Sequence, residues 1–238
     1  MFTTSTRNNS HKAHNCLKMK LKAILFDLDG TLVDSELFHF ECWNEILKES
    51  DVCLTYSDWL KDYAGIPLAR NASTLTEKYA LTIPLHELIQ RRETLSIQRM
   101  NDLEVPLMYY AREILDFFKQ IPITMALVTG SNRDEVNSLF KKNGLRPYFD
   151  TIVTNDDVKQ AKPNPECYNL CQTQLGLEKE ECLVFEDTVN GLKAAKAAGL
   201  TCYAIQRHEQ QHSALHQADR LFLNFEEAKA YLLAHQLV

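Results

Sequence analysis

Glycine is scarce in this sequence: its 238 residues include seven, where average usage of about 7% would supply roughly sixteen or seventeen. No Walker loop and no Gly-x-Gly-x-x-Gly run is present, which excludes a kinase or dehydrogenase built on those phosphate-cradling loops. Long apolar runs are also missing. The stretch at 123–128 is broken by Thr124 and has the length of a strand, far short of the roughly 18 residues a membrane span needs. The cysteines, Cys16, Cys42, Cys53, Cys167, Cys171, Cys182 and Cys202, are odd in number and form no Cys-x-x-Cys pair. They read as reduced, mostly buried thiols of a cytoplasmic protein. There is no excess of positive charge. With 26 Lys+Arg against 32 Asp+Glu, the formal net charge of −6 draws the chain to neither nucleic acid nor an anionic membrane. Residues 1–18 have no apolar h-region and no small-residue cleavage site, so they read as a disordered extension without function and not as a secretory signal.

What is present is core material. Hydrophobic residues make up 45% and charged residues 24%, as in an ordinary globular protein of one or two domains. Gly144, Gly176 and Gly199 each follow a helical pattern and read as left-handed caps. Gly30, Gly130 and Gly191 instead follow short apolar runs, where an α/β chain turns from strand to helix. Those runs, at 22–26, 123–128, 151–154, 181–185, 201–205 and 220–223, are mostly continuous and not alternating. That pattern fits parallel strands buried on both faces. Helical patterns at 109–119, 132–143, 165–175 and 188–198 lie between them, so the expected fold is α/β, a doubly wound parallel sheet. The stretch 35–105 breaks this rhythm. It carries helical patterns at 36–49, 57–64, 68–79 and 84–100 and no convincing strand. The expected organisation is a core of residues 19–34 and 106–238 with an inserted all-helical cap at 35–105, hinged near Asp34-Ser35 and Glu104-Val105-Pro106.

The first apolar run leads into Asp27-Leu28-Asp29-Gly30-Thr31-Leu32-Val33-Asp34. A carboxylate at a strand's end can attack phosphorus, and the Asp two residues on can face the same site. A metal must then offset the repulsion between carboxylate and phosphate. Two solvated acids in a turn are the bland alternative, and the strand before them argues against it. This segment resembles the first motif of the haloacid dehalogenase (HAD) superfamily of phosphotransferases, in its helical-cap subfamily I. Three further motifs follow in order. Thr129-Gly130-Ser131-Asn132 closes the second core strand, where a hydroxyl and the free N–H groups of a helix N-terminus suit an anion. Plain helix capping by Ser131 with Asp134 is the competing reading. Lys162-Pro163-Asn164-Pro165 brings an ammonium to the start of a helix, where it can stabilise both Asp27 and a transferring phosphoryl group. Glu186-Asp187 ends another strand and offers the hard oxygens magnesium prefers. Acids complementing a helix dipole are the alternative there.

The resemblance implies Asp27 as nucleophile and Asp29 as general acid/base. It implies phosphoryl binding by Thr129, Gly130, Ser131, Asn132 and Lys162. Magnesium (Mg2+) would be held by the Asp27 and Asp187 carboxylates and the Asp29 carbonyl, with Glu186 assisting directly or through water. The relatives in view are small sugar-phosphate and phosphoglycolate phosphatases and β-phosphoglucomutase. In the mutase a His at the position of His39 orients the acid/base Asp. The glycine such caps use for substrate contact is Gly65. Where the mutase grips a second phosphate with Arg, this chain has Leu68, with Arg70 two positions on. The departure favours hydrolysis of a monophosphate. Arg91 and Arg92 read as solvated surface charges. The expected partner is a small phosphorylated metabolite and the expected state a monomer. The alternatives are a phosphosugar mutase, a catalytically silent phosphoryl-binding module, a receiver-like signalling domain and a dehalogenase.

Overall fold

The computed structural model describes residues 21–238; the extension read at 1–18 lies outside them. The strands β1 (Ala23–Phe26), β2 (Thr124–Val128), β3 (Thr151–Val153), β4 (Cys182–Glu186), β5 (Thr201–Ile205) and β6 (Arg220–Phe222) form one all-parallel sheet in the order β3-β2-β1-β4-β5-β6. Central β1 pairs Leu25 with Ala126 on one side and with Val184 on the other. Successive residues of a strand point to opposite faces, and here the two faces differ in size. Ile24, Phe26, Met125, Leu127, Leu183, Phe185, Tyr203 and Ile205 face one side; there they meet α5 (Ala111–Lys119), α6 (Arg133–Asn143) and α10 (Phe225–Ala234). Ala23, Leu25, Ala126, Val128, Cys182, Val184, Cys202 and Ala204 face the other, under α7 (Glu166–Leu175) and α8 (Val189–Ala197). Phe26 packs its ring against Phe118, Phe149, Phe185 and Phe225. Truncating such a buried ring costs roughly 3–5 kcal/mol.

Four helices, α1 (Glu36–Leu47), α2 (Tyr56–Asp62), α3 (Leu68–Tyr79) and α4 (Leu85–Asp102), lie between β1 and β2. They have their own apolar cluster, with Trp43, Leu47, Trp59, Tyr63, Leu75 and Leu88 at its centre. The two connections to them run side by side. Asp34 N donates to Pro106 O at 2.8 Å, Met108 N to Leu32 O at 2.9 Å, and Val33 bridges Leu107 in antiparallel fashion.

The sheet reverses its order at β1, since β2 lies to one side and β4 to the other. Such a switch point opens a crevice at the carboxyl ends of the strands. Two helices were not foreseen: the short α9 (Glu209–His212) and α10. α9 buries no residue; α10 buries Phe225, Ala228 and Leu232 behind an Asn224 side chain that accepts from Glu227 N. The Ser131 and Asp134 capping box is corrected. α6 starts one residue later, capped by Asn132, whose side chain accepts from Glu135 N at 2.9 Å.

Candidate active site

Asp27 continues the central strand, its N–H donating to Phe185 O at 3.0 Å, and stands buried at the sheet's carboxyl edge. Lys162 meets it there. All three ammonium protons are used: Nζ lies 2.7 Å from Asp27 Oδ1, 2.9 Å from Val128 O and 2.6 Å from Glu186 Oε1. Glu186 is buried and saturated. Its Oε1 also accepts from Tyr168 OH at 2.9 Å, and its Oε2 faces Asp187 N, Thr188 N and Thr188 Oγ1. This carboxylate fits because residue 191 has no side chain: a Cβ there would stand 1.7 Å from Glu186 Oε1. Likewise a Cβ on Gly30, whose φ is +77°, would stand 2.1 Å from Asp187 Oδ2. Asp187 is steadied by Thr31 Oγ1 at 3.1 Å.

Asp27, Glu186 and Asp187 offer carboxylate oxygens that all lie within 4.8 Å of one another. Burial, then the Glu186 charge, push Asp27 up to about 8 against the pull of Lys162. Burial, then Asp27 and Glu186, push Asp187 well above the carboxylate range. Lys162 is held above its ordinary value by Asp27 and Glu186, although burial works against it. Three carboxylates around one ammonium are short of positive charge, and an all-oxygen donor set suits a hard divalent cation. These residues therefore fit magnesium. Asp27 and Asp187 have oxygens left for it, whereas those of Glu186 are already engaged.

Asp29 turns its side chain the other way. Its Oδ1 lies 3.2 Å from His39 Nε2, and Ser131 Oγ donates to its Oδ2. Burial raises the Asp29 carboxyl, but its hydrogen bonds with His39 and the Ser131 hydroxyl outweigh it and hold it below the usual carboxylate range. Arg92 Nη2 stands 2.8 Å from His39 Nδ1. A guanidinium only donates, so Nδ1 accepts and the ring carries its proton on Nε2, aimed at Asp29. Arg92 corrects the surface reading. It is 3% exposed, with its guanidinium over the Trp43 ring, whereas Arg91 is exposed and paired with Glu87 and Glu49. On α4 the buried positions are Leu88, Arg92, Ser96 and Met100, spaced by four. That spacing was the available signal.

Between the sheet edge and α1–α3 lies a cavity of about 160 Å³. Asp27, Asp29, Thr129, Gly130, Ser131 and Lys162 line its sheet side. His39, Trp43, Trp59, Tyr63, Gly65 and Leu68 line the other. Thr129 Oγ1 accepts from Ser131 N at 3.0 Å, which leaves its own proton free for a ligand. The Gly65 carbonyl accepts from Asn190 Nδ2 across the gap at 3.1 Å. Two expected substrate residues are not brought to this cavity. Asn132 spends its side-chain oxygen on the α6 cap, and Arg70 is exposed and lines the neighbouring cavity with Lys61 and Arg207. Glu135 and Tyr168, neither singled out in the sequence, are buried at the site.

A family model described as haloacid dehalogenase-like hydrolase matches residues 24–205. The chain belongs to this family. It is 31% identical over 182 residues to the phosphorylated carbohydrates phosphatase of Thermotoga maritima, covering 76% of this chain and 82% of that one. It is 32% identical over 188 residues to the fructose-1-phosphate phosphatase YqaB of Escherichia coli, covering 74% and 92%. Among solved structures, CbbY from Rhodobacter sphaeroides in complex with phosphate superposes with a TM-score of 0.75 at 27% identity, covering 86% of this chain and 95% of that one. The doubly wound parallel sheet expected from the apolar runs, with the HAD-type core that the motifs implied, is thus the fold observed. No helix among the described residues is long and apolar enough to cross a membrane.

Proposed function

We propose that this HAD-family chain is a magnesium-dependent phosphatase acting on small phosphate monoesters, chiefly sugar phosphates, through an aspartyl-phosphate intermediate on Asp27. The observation that carries the reading is the pair of aspartates on one cavity wall in different surroundings: Asp27 beside Lys162, and Asp29 beside His39 and Ser131. Residues 35–105 serve as the cap that closes over the substrate, residues 19–34 and 106–238 as the catalytic core. The enzyme acts as a cytoplasmic monomer on a small phosphorylated metabolite.

In the proposed sequence, the ester's phosphoryl oxygens are received by the Thr129 hydroxyl and the Gly130 N–H, with the Lys162 charge beside them. Asp27 attacks phosphorus, and Asp29 gives its proton to the departing alkoxide. Asp29, ionised in the free enzyme, takes that proton from solvent as the substrate binds, because a phosphoryl dianion beside it favours its neutral form. Once ionised again, it takes a proton from the water that attacks the aspartyl phosphate, and phosphate leaves. Asp27, Asp187 and the Asp29 carbonyl would hold magnesium, with Glu186 acting from behind through Lys162. Bound magnesium supplies positive charge against the phosphoryl oxygens. The far end of the cavity supports a monophosphate over a bisphosphate: Glu36 and Glu135 line it, Leu68 is uncharged, and Arg92 is engaged by His39.

Phosphate release from a panel of sugar phosphates, phosphoglycolate, nucleotides and an aryl phosphate tests the proposal, each with magnesium and with excess EDTA. Magnesium-dependent release, fastest from sugar monophosphates, is the expected result. No release from any ester would overturn it.

A further inference from the structure

We infer that Tyr168 is a positioning residue for the catalytic ammonium, keeping Lys162 on Asp27 by occupying the competing carboxylate Glu186. The inference rests on the role proposed for Lys162 and adds a residue to it.

Two carboxylates compete for one ammonium. Lys162 Nζ is 2.7 Å from Asp27 Oδ1 and 2.6 Å from Glu186 Oε1, and the three groups are buried together. In such surroundings the nearer, less satisfied acceptor draws the ammonium toward itself. The Tyr168 hydroxyl donates to that same Glu186 Oε1 at 2.9 Å. It shares the oxygen's charge and weakens its pull on Lys162. The other Glu186 oxygen is held by the Asp187 and Thr188 N–H groups and the Thr188 hydroxyl, so the carboxylate cannot rotate to present a fresh acceptor. The Tyr168 ring adds a second support, with Lys162 Nζ 5.0 Å from its centroid, within reach of a cation–π attraction.

Position and burial suit Tyr168 to this task. Fully buried on α7, it stands six residues after Lys162, so the turn that delivers the lysine also delivers the tyrosine. Its hydroxyl stays protonated, because burial and the Glu186 charge push its ionisation well up. A phenylalanine would fill the same volume. The hydroxyl is the part that packing alone does not require.

Tyr168→Phe removes the hydroxyl and keeps the ring; Tyr168→Leu removes both. In Tyr168→Phe, kcat for an aryl phosphate is expected to fall about tenfold with KM within about twofold, because the loss falls on the transition state. Tyr168→Leu should lose several-fold more. The second readout does not depend on turnover. In lysine-15Nζ-labelled protein, the Lys162 ammonium is protected from exchange by its three acceptors and should give a resolved signal, assigned by its absence in Lys162→Met. That signal should move or broaden in Tyr168→Phe. Wild-type kcat in Tyr168→Phe together with an unmoved Lys162 signal would overturn the inference. So would a Tyr168→Phe protein that loses stability while its kcat and Lys162 signal remain those of the wild type. If no variant, wild type included, releases phosphate, the proposed function fails, and the ammonium signal alone decides whether Tyr168 holds Lys162.

Discussion

Arg91 and Arg92 are neighbours in sequence and opposites in surroundings, which makes them a paired test of the geometry around Asp29. Arg92→Met keeps the length of the side chain and removes the donor that fixes the His39 ring. Without it, Nδ1 has no enforced acceptor role, the ring can carry its proton on either nitrogen, and Asp29 loses its N–H partner 3.2 Å away. A hydrogen bond involving a charged group contributes about 1.5–3 kcal/mol. If it acts on the transition state, kcat falls by about 10- to 150-fold. KM for a small aryl phosphate should hardly move, because Arg92 is not among the contacts proposed for the phosphoryl group. Arg91→Met removes only exposed pairs with Glu87 and Glu49 and should leave kcat unchanged. Steady-state kinetics of the two variants, with circular dichroism to verify folding, make the comparison. Equal kcat values in the two variants would refute the chain from Arg92 through His39 to Asp29.

Other consequences follow from particular groups. Asp27 is raised from 3.8 to about 8 in the metal-free fold, so the folded state binds a proton that the unfolded chain releases, and its contribution to stability declines as pH rises through that window. Magnesium competes with this proton, so the rise in Tm on adding magnesium should be larger near about pH 8.5 than near about pH 6; an equal rise at both would contradict the assignment. Ala80 ends α3 at a φ of +50° and is exposed. Ala80→Gly relieves that left-handed strain at some cost in chain entropy and should raise the urea midpoint by an equivalent of about 0.5–1 kcal/mol; a lower midpoint would show the residue to be unstrained. Cys53 is exposed, whereas Cys42, Cys167, Cys171, Cys182 and Cys202 are buried, and burial pushes Cys171 up to about 12 and Cys182 to about 11. Alkylation near about pH 8 followed by peptide mapping should label Cys53 ahead of those five, and early labelling of Cys171 would contradict the packing.

Much of this arrangement was legible because it follows from short-range rules. Continuous apolar runs such as Ala23–Phe26 have both faces to bury, which demands a parallel sheet, and an acid at the end of such a run has one place to go. The Asp27, Thr129 and Asp187 positions could be marked from strand ends together with the HAD resemblance, and Lys162, which ends no apolar run, from its Lys-Pro-x-Pro setting and that resemblance. Arg92 escaped because its neighbour Arg91 has the same charge, and only the helical phase set by Leu88, Ser96 and Met100 separates buried from solvated. Asn132 was taken for a substrate contact because its residue type serves capping and anion binding equally well. The structure gives it to the cap. Arg70 lies on α3 beyond the cavity, since the chain turns at Pro67 and brings Leu68 inward. Helix α10 was missed for want of a strong apolar stripe, although the Asn224 and Glu227 spacing marks its start.

The central claim is that Asp27 carries the phosphoryl group. Wild type and Asp27→Asn, mixed with a sugar monophosphate and magnesium, quenched in acid and mapped by mass spectrometry, test it directly. The account requires a phosphoryl adduct on the Asp27 peptide of the wild type. It also requires no adduct in Asp27→Asn, with phosphate release down by more than about 1,000-fold. Near-normal release by Asp27→Asn, or an adduct on another residue, would contradict it.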